Sequence, residues 1–190
     1  HYYLSRIQLN ADQLTRMLNE LLDLSKIEAG KMELRPTVLS LQDLAADLLE
    51  GFQPLAQRKS IMMDAFSMER MPKVSADRDK LYEVLANLLE NAIKFTPSGG
   101  RVQIGAQVLD DRQIKIGVSD TGCGIPEEHL PKIFNKFYRV QSGSGHAPGT
   151  GLGLAIAKSI VELHSGEIRA RSTLDAGTEL ELLLPVKPPG

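Results

Sequence analysis

From Leu4 the apolar residues Leu4, Ile7, Ala11, Leu14, Leu18 and Leu21 recur at alternating intervals of three and four, with Arg6, Gln8, Asp12, Gln13 and Arg16 on the other faces. This heptad stripe predicts a long amphipathic helix, and Gly30 stands where a left-handed C-terminal cap is expected. A helix of this kind needs a partner for its stripe. The partner is either its own domain or a second helix in a hairpin that dimerises into a bundle. The stop at Glu28-Ala29-Gly30-Lys31, ahead of a change in composition, favours the second.

After this hinge the pattern shortens. Met32 to Leu39 reads as an extended segment that Pro36 confines to an edge, followed by a helix over Leu41 to Gln57 and short strands over Ser60 to Phe66 and Lys73 to Ser75. Asp77 is a candidate N-cap for a helix running to Phe95. Arg101 to Leu109 and Gln113 to Ser119 flank Asp110-Asp111, a hairpin signal. A short helix over Glu127 to Ile133, a Gly/Ser-rich stretch, a helix over Leu152 to His164, and strands over Glu167 to Ser172 and Thr178 to Leu184 complete the chain. Interleaved strands and helices with at least one hairpin predict an α+β chain: a mixed sheet covered by helices on one face, in a two-layer α/β sandwich. The expected domains are residues 1–30, a partial dimerisation helix, and residues 31–190.

Composition removes several function classes. Among 190 residues, 22 basic and 24 acidic side chains give a formal charge of −2, unlike a dedicated nucleic-acid binder. No apolar run approaches the ~20 residues of a membrane span, so no membrane contact by this segment is expected. Cys123 is the only cysteine; it can form neither an intrachain disulfide nor a cysteine cluster, which suits a reducing, cytoplasmic compartment. Placed between two glycines, it reads as a small filler.

Three short segments carry the chemistry. On the helix from Asp77 to Phe95, Leu81, Val84, Leu85, Leu88, Leu89, Ala92 and Ile93 share one face, and Asn87, Glu90, Asn91 and Lys94 share the opposite one. Most polar faces are merely solvated, but asparagine costs roughly 0.5 kcal/mol relative to alanine inside a helix, and two of them four apart need another reason. An amide oxygen is a suitable hard ligand for Mg²⁺, which shares its shell with phosphates, and Lys94 can place a point charge on the same phosphates. In Val118-Ser-Asp120-Thr-Gly122-Cys-Gly124 a carboxylate ends an apolar strand, and the glycines that follow let backbone approach a flat ligand. Asp-Thr-Gly also marks aspartic proteases, but that reading needs a second copy and leaves the other segments unused. Gly149-Thr150-Gly151-Leu152-Gly153-Leu154 opens a helix, where free N–H groups and the positive dipole end favour phosphate. It is neither a dinucleotide fingerprint nor a Walker loop, lacking the third glycine of one and the Gly-Lys-Ser/Thr of the other.

At these residues the chain, from about Leu4 to Pro185, resembles the catalytic and ATP-binding domain of sensor histidine kinases of two-component systems. The resemblance implies a Bergerat-type ATP-binding fold, with ATP and Mg²⁺ bound. By it, Asn91 is the magnesium ligand, Asn87 its neighbour in the nucleotide shell, Lys94 a phosphate contact, and Phe95 lies beside the base. Asp120, with Gly122, Gly124 and Ile125 around it, accepts a hydrogen bond from the adenine amino group. Gly149 through Leu154 cradles the triphosphate. Phe134 and Phe137 match the family's aromatic box and read as core anchors for a lid over Ser142 to Pro148, which is expected to order when nucleotide binds. Lys136 or Arg139 can reach the γ-phosphate, and Arg139 matches the family pattern; Asn135 and Gln141 depart from the acidic residues common in that box.

A histidine kinase passes the γ-phosphoryl group to a histidine in a sequence such as His-Glu-Leu-Arg-x-Pro. His1, His129, His146 and His164 all lack that context. The N-terminal helix matches the second helix of the dimerisation hairpin, so the acceptor helix is expected outside this chain. The implied partners are that phosphoacceptor histidine helix, a response-regulator receiver domain and, in the full-length protein, a second copy of itself. Gyrase-like and chaperone-like ATPases carry a water-activating glutamate where Asn87 stands here, and an amide cannot serve as that base. Kinase core, ATP-hydrolysing switch and non-catalytic nucleotide sensor therefore remain three distinct possibilities at this point.

Overall fold

A computed structural model of the chain describes residues 2–68, 71–110, 112–140 and 149–186. Helix α1 (Tyr2–Glu28) is followed by β1 (Thr37–Leu39), α2 (Leu41–Arg58), β2 (Met62–Phe66), β3 (Val74–Ala76) and α3 (Arg78–Phe95). Then come β4 (Arg101–Val108), β5 (Gln113–Asp120), a 3₁₀ turn at Leu130–Lys132, α4 (Gly153–Leu163), β6 (Glu167–Thr173) and β7 (Gly177–Pro185). The five-stranded sheet has the order β2-β4-β5-β7-β6, and β1 pairs antiparallel with β3 in a separate ribbon. Only β2 and β4 run parallel; the other neighbours in the large sheet are antiparallel.

The alternation along the strands decides which face the helices cover. Val102, Ile104 and Ala106 of β4, Ile114, Ile116 and Val118 of β5, and Leu180, Leu182 and Leu184 of β7 are buried with Leu81, Leu85, Leu88 and Ile93 of α3 and with Ile156 and Ile160 of α4 in one core. The residues between them point to the other face, where Lys115 Nζ lies 2.8 Å from Glu181 and Arg171 lies 3.6 Å from it. Glu181 is only 2% exposed, so its charge is tolerated because two cations satisfy it. The mixed sheet with helices on one face agrees with the expectation from sequence.

Local chemistry sets the element boundaries. Asp77 caps α3, its Oδ1 accepting from the N–H groups of Asp79 and Lys80 at 3.1 Å each. Asp110 closes the β4–β5 hairpin by accepting from the N–H groups of Arg112 and Gln113. Two expectations need correction. The extended segment from Met32 shrinks to β1 (Thr37–Leu39), which begins after Pro36 because proline supplies no N–H to a ladder. The expected helix from Glu127 to Ile133 is only the 3₁₀ turn Leu130–Lys132, with a proline in its first positions and no side-chain cap.

Helix α1 runs as expected, but most of its stripe does not pack on its own domain. Ile7, Leu14 and Leu18 are 64%, 61% and 61% exposed. The helix makes its apolar contact with the core near its C-terminal end, with Leu24 buried and Ile27 packed against the core. No helix among the described residues is long and apolar enough to cross a membrane.

Candidate nucleotide site

Helix α3 is where the three motif segments meet. Its apolar face is buried in the core, which turns Asn87, Asn91 and Lys94 away from the sheet's interior. At its C-terminal end, Phe95 O accepts the N–H of Cys123 at 3.4 Å. A Cβ on Gly122 would stand 2.8 Å from that same oxygen and 2.6 Å from Asp120 Oδ1. At the other end of the motif, a Cβ on Gly153 would lie 2.4 Å from Asn87 Oδ1, and one on Gly149 would lie 3.2 Å from Lys94 Nζ. Asn87 and Phe95 are eight residues apart, a rise of about 12 Å, which is on the scale of an extended nucleoside triphosphate. The two glycine segments thus close on one helix, the first at its phenylalanine end and the second at its asparagine end.

Within this frame, Asp120 ends β5 opposite Val102 and Thr178. Its Oδ1 accepts the Gly122 N–H at 2.7 Å. Burial pushes the Asp120 carboxyl above the usual carboxylate range, against the opposing effect of N–H groups from Gly122 and Thr178. Ile125 is fixed by donating its N–H to Ser172 Oγ at 2.8 Å. Gly122 and Gly124 are required for a different reason from the one their sequence suggests. The atoms that exclude a Cβ belong to the protein itself: Asp120 and Phe95 at Gly122, and Thr173 O at 2.1 Å from a Cβ on Gly124. Cys123 between them is exposed rather than a filler, since its neighbours' tight packing leaves its own side chain facing outward.

The second glycine segment enters α4 with Leu152 as N-cap and no side chain capping the end. Leucine carries no side-chain oxygen, so the N-cap side chain itself does not satisfy the first N–H groups of α4. Thr150 Oγ1 accepts the Leu152 N–H at 3.1 Å and donates to Glu20 of α1. Arg16 of α1 pairs with Glu90 of α3, and Glu28 pairs with Lys136. None of these three cross-links from α1 has a local sequence signal, because each joins residues far apart in the chain.

Burial pulls the Lys94 ammonium below its ordinary range, the charge of Arg139 acts in the same direction, and Glu90 opposes them. Lys94 Nζ also lies 4.8 Å from the Phe95 ring centroid, within cation–π range. Positive charge from both side chains in one region suits an anionic ligand. Phe137 departs from expectation. Phe134 packs against the core, but Phe137 is 63% exposed with φ +61°. Its backbone makes the anchor instead, donating its N–H to Gly151 O at 2.9 Å. Gln141 and the lid from Ser142 to Pro148, with His146, lie outside the described residues, as does His1.

The donor set is compatible with Mg²⁺. Among the described residues, Asn87 Nδ2 is buried without a hydrogen-bond partner, and Asn91 Nδ2 lies 3.4 Å from Asn87 Oδ1. A buried, unsatisfied NH₂ donor is costly and calls for an acceptor such as a phosphate oxygen, while Mg²⁺, which takes oxygen ligands, would be held through the Asn91 amide oxygen, since Asn91 Nδ2 faces Asn87 Oδ1. A cavity of about 520 Å³ between Ala65, Met68, Met71 and Val108 opens at the other end of β4 and shares none of these groups.

Residues 76–188 match the family described as histidine kinase-, DNA gyrase B- and HSP90-like ATPases. The chain belongs to this family. Among the ATPases and kinases it resembles, the circadian input-output histidine kinase CikA of Synechococcus elongatus is 39% identical over 186 residues, which are 96% of this chain and 24% of that protein. The chain thus spans about a quarter of that relative. The crystal structure of full-length ShkA in complex with AMPPNP superposes with a TM-score of 0.87 at 26% identity, covering 99% of this chain and 39% of that one. Histidine kinase ThkA in complex with response regulator TrrA gives a TM-score of 0.74 at 26% identity, covering 96% of this chain and 51% of that one. The ATP-binding fold inferred from the three motifs is therefore shown, and the sandwich with a preceding helix recurs in both solved structures.

Proposed function

We propose that this chain is the ATP-binding catalytic core of a two-component sensor histidine kinase. It would transfer the γ-phosphoryl group of ATP to a histidine on a dimerisation helix supplied by the rest of the parent protein, for relay to a response-regulator receiver domain. Residues 1–30 are then the second helix of the dimerisation hairpin and residues 31–190 the catalytic domain. The observation that carries this reading is the closure of both glycine segments on α3, at Phe95 and at Asn87. The likeness to CikA and to ThkA, the latter solved with a response regulator, supports the choice of a kinase within the wider ATPase family.

The chain's own groups divide the work. Asp120 accepts the adenine amino hydrogen bond, which favours ATP over GTP because guanine presents a carbonyl there. Phe95 and Ile125 border the base. Asn91, with Asn87 beside it, holds Mg²⁺ by amide oxygen, and the metal when bound neutralises phosphate charge. Lys94 and Arg139 add positive charge, and the segment from Gly149 to Leu154 presents the α4 N-terminus to the phosphates. At Asn87 an amide occupies the position of the hydrolytic glutamate, and Glu90, the nearby carboxylate, is paired with Arg16. Phosphotransfer with weak hydrolysis of free ATP follows from that arrangement.

Calorimetric titration of Mg–ATP into the chain tests the assignment. Asn91→Ala is expected to weaken Mg–ATP binding by about tenfold or more, and to remove most of the difference between titrations with and without Mg²⁺. Parental, metal-dependent affinity in this variant would place the metal elsewhere.

The exposed stripe of α1 is the second element of the proposal. Ile7, Leu14 and Leu18 form an apolar edge of the kind that a helical bundle buries, and a second copy of the chain is its occupant in the parent homodimer. Sedimentation at increasing concentration is expected to show a monomer–dimer equilibrium that Leu18→Glu removes without changing ATP affinity. A strictly monomeric parent chain at all concentrations would count against self-pairing through this stripe.

A further inference from the structure

Helix α3 ends without the usual left-handed cap, because Thr96 at its C-cap position has extended backbone, with φ −82° and ψ 130°. Its last carbonyls must therefore find donors elsewhere. Ala92 O takes the Thr96 N–H at 3.0 Å and the Thr96 hydroxyl at 2.7 Å. Phe95 O takes the Cys123 N–H. The two carbonyls between them, Ile93 O and Lys94 O, both accept from Lys59 Nζ, at 2.8 and 2.6 Å.

Lys59 is well placed to hold them. It is itself the C-cap of α2, its N–H bonded to Ala56 O, and the chain turns directly after it through Ser60 at φ +56° into β2. Its ammonium is thus mounted on a fixed backbone and closes the last turn of α3, the turn that carries Lys94 and Phe95. The charge matters as well as the bonds. A helix C-terminus presents partial negative charge, and here it lies beside the groups assigned to an anionic ligand. A cation bonded to the terminal carbonyls offsets that field at the end of the helix that carries Lys94 and Phe95.

We propose that Lys59 is a positioning residue for the nucleotide site. It orders the final turn of α3 and neutralises the negative end of its dipole, so that Lys94 and Phe95 are held for ATP. The proposal rests on the nucleotide reading given above, and its role is distinct from direct contact with substrate.

The test compares the parent chain with Lys59→Met and Lys59→Arg by calorimetry with Mg–AMPPNP and by native-state amide exchange. Lys59→Met is expected to weaken binding about tenfold. It is also expected to speed exchange at the Thr96 and Cys123 amides, which are bonded to this turn, while the Leu182 amide in the middle of the sheet keeps its parental rate. Lys59→Arg, which keeps charge and donors, is expected to restore affinity to within about threefold. Parental affinity in Lys59→Met would overturn the proposal, as would exchange that rises equally at Leu182, the mark of a general loss of stability. Failure of the parent chain to bind AMPPNP would instead overturn the nucleotide reading, and the local exchange rates would still decide whether Lys59 orders the turn.

Discussion

Asp120→Asn is expected to weaken ATP binding by about a hundredfold while leaving the fold as stable as before or more so. The two effects have opposite signs for one reason, the burial of a carboxylate. The side-chain oxygen that accepts the Gly122 N–H survives in asparagine, so the local turn keeps its hydrogen bond. The second oxygen becomes an NH₂ group that meets the adenine amino group donor to donor, and an unpaired polar group in a closed site costs about 1–3 kcal/mol. Stability follows from the raised carboxyl pKa. A carboxyl that titrates higher in the folded state than in the unfolded chain binds more protons when folded. Its contribution to stability therefore improves as pH falls through that window and is least favourable once the group is ionised. Asparagine removes the buried charge and hence that neutral-pH cost. Melting curves at neutral pH paired with calorimetry check both signs. In the parent, ATP affinity is expected to decline on acidification beginning above the ordinary aspartate range, because the ionised carboxylate accepts the adenine N–H more strongly than the protonated carboxyl, one of whose oxygens has become a donor. A variant that binds ATP normally would remove Asp120 from the base site.

Gly177→Ala is expected to be the most disruptive glycine-to-alanine change among the described residues. Gly177 has φ +112°, and a Cβ there would stand 1.9 Å from the carbonyl oxygen of Asp120 and 3.1 Å from the Cα of Thr121. Both obstacles are backbone, so no side chain can turn aside, and the φ angle is itself strained for an L-residue. A loss of about 3 kcal/mol or more is expected, seen as a fall in Tm of several degrees or more. ATP binding should fall with it, even though Gly177 touches no assigned ligand, because relief of the clash displaces the end of β5 that aims Asp120. An alanine variant with parental melting temperature and affinity would show that the β5–β7 corner tolerates the movement.

These two residues mark what the chain's letters disclose. Asp120 stands at the end of an apolar alternation and before two glycines, so its site role is legible locally. Gly177 sits in Asp175-Ala-Gly177-Thr, which reads as an ordinary turn before a strand; the close approach of Asp120 depends on the β5–β7 register and has no local signature. The same division runs through the molecule. Elements with strong periodicity lie where their patterns place them: α3, α4 and the β4–β5 hairpin because burial of one face dictates them, and α1 although most of its stripe is exposed. Phe134 and Phe137 have similar local credentials, yet one packs half-buried against the core and the other is exposed, since spacing of three does not reveal that the chain adopts φ +61° at the second. Lys59 and Glu20 look like ordinary surface charges until tertiary structure brings carbonyls or a threonine hydroxyl to them.

The parallel pairing of β2 with β4 has a consequence for how the molecule assembles. Hairpins such as β4–β5 and β6–β7 close over short turns, whereas a parallel neighbour can be reached only by a crossover, and here α3 is part of that crossover. The edge strand cannot zip onto the sheet until the intervening helix has swung across it, so completing the sheet and erecting the ligand platform are a single long-range event. Because distant pairings form more slowly than local ones, the β4–β5 and β6–β7 hairpins formed by themselves have no place for a nucleotide, and competence waits on the long-range β5–β7 and β2–β4 pairings that join them.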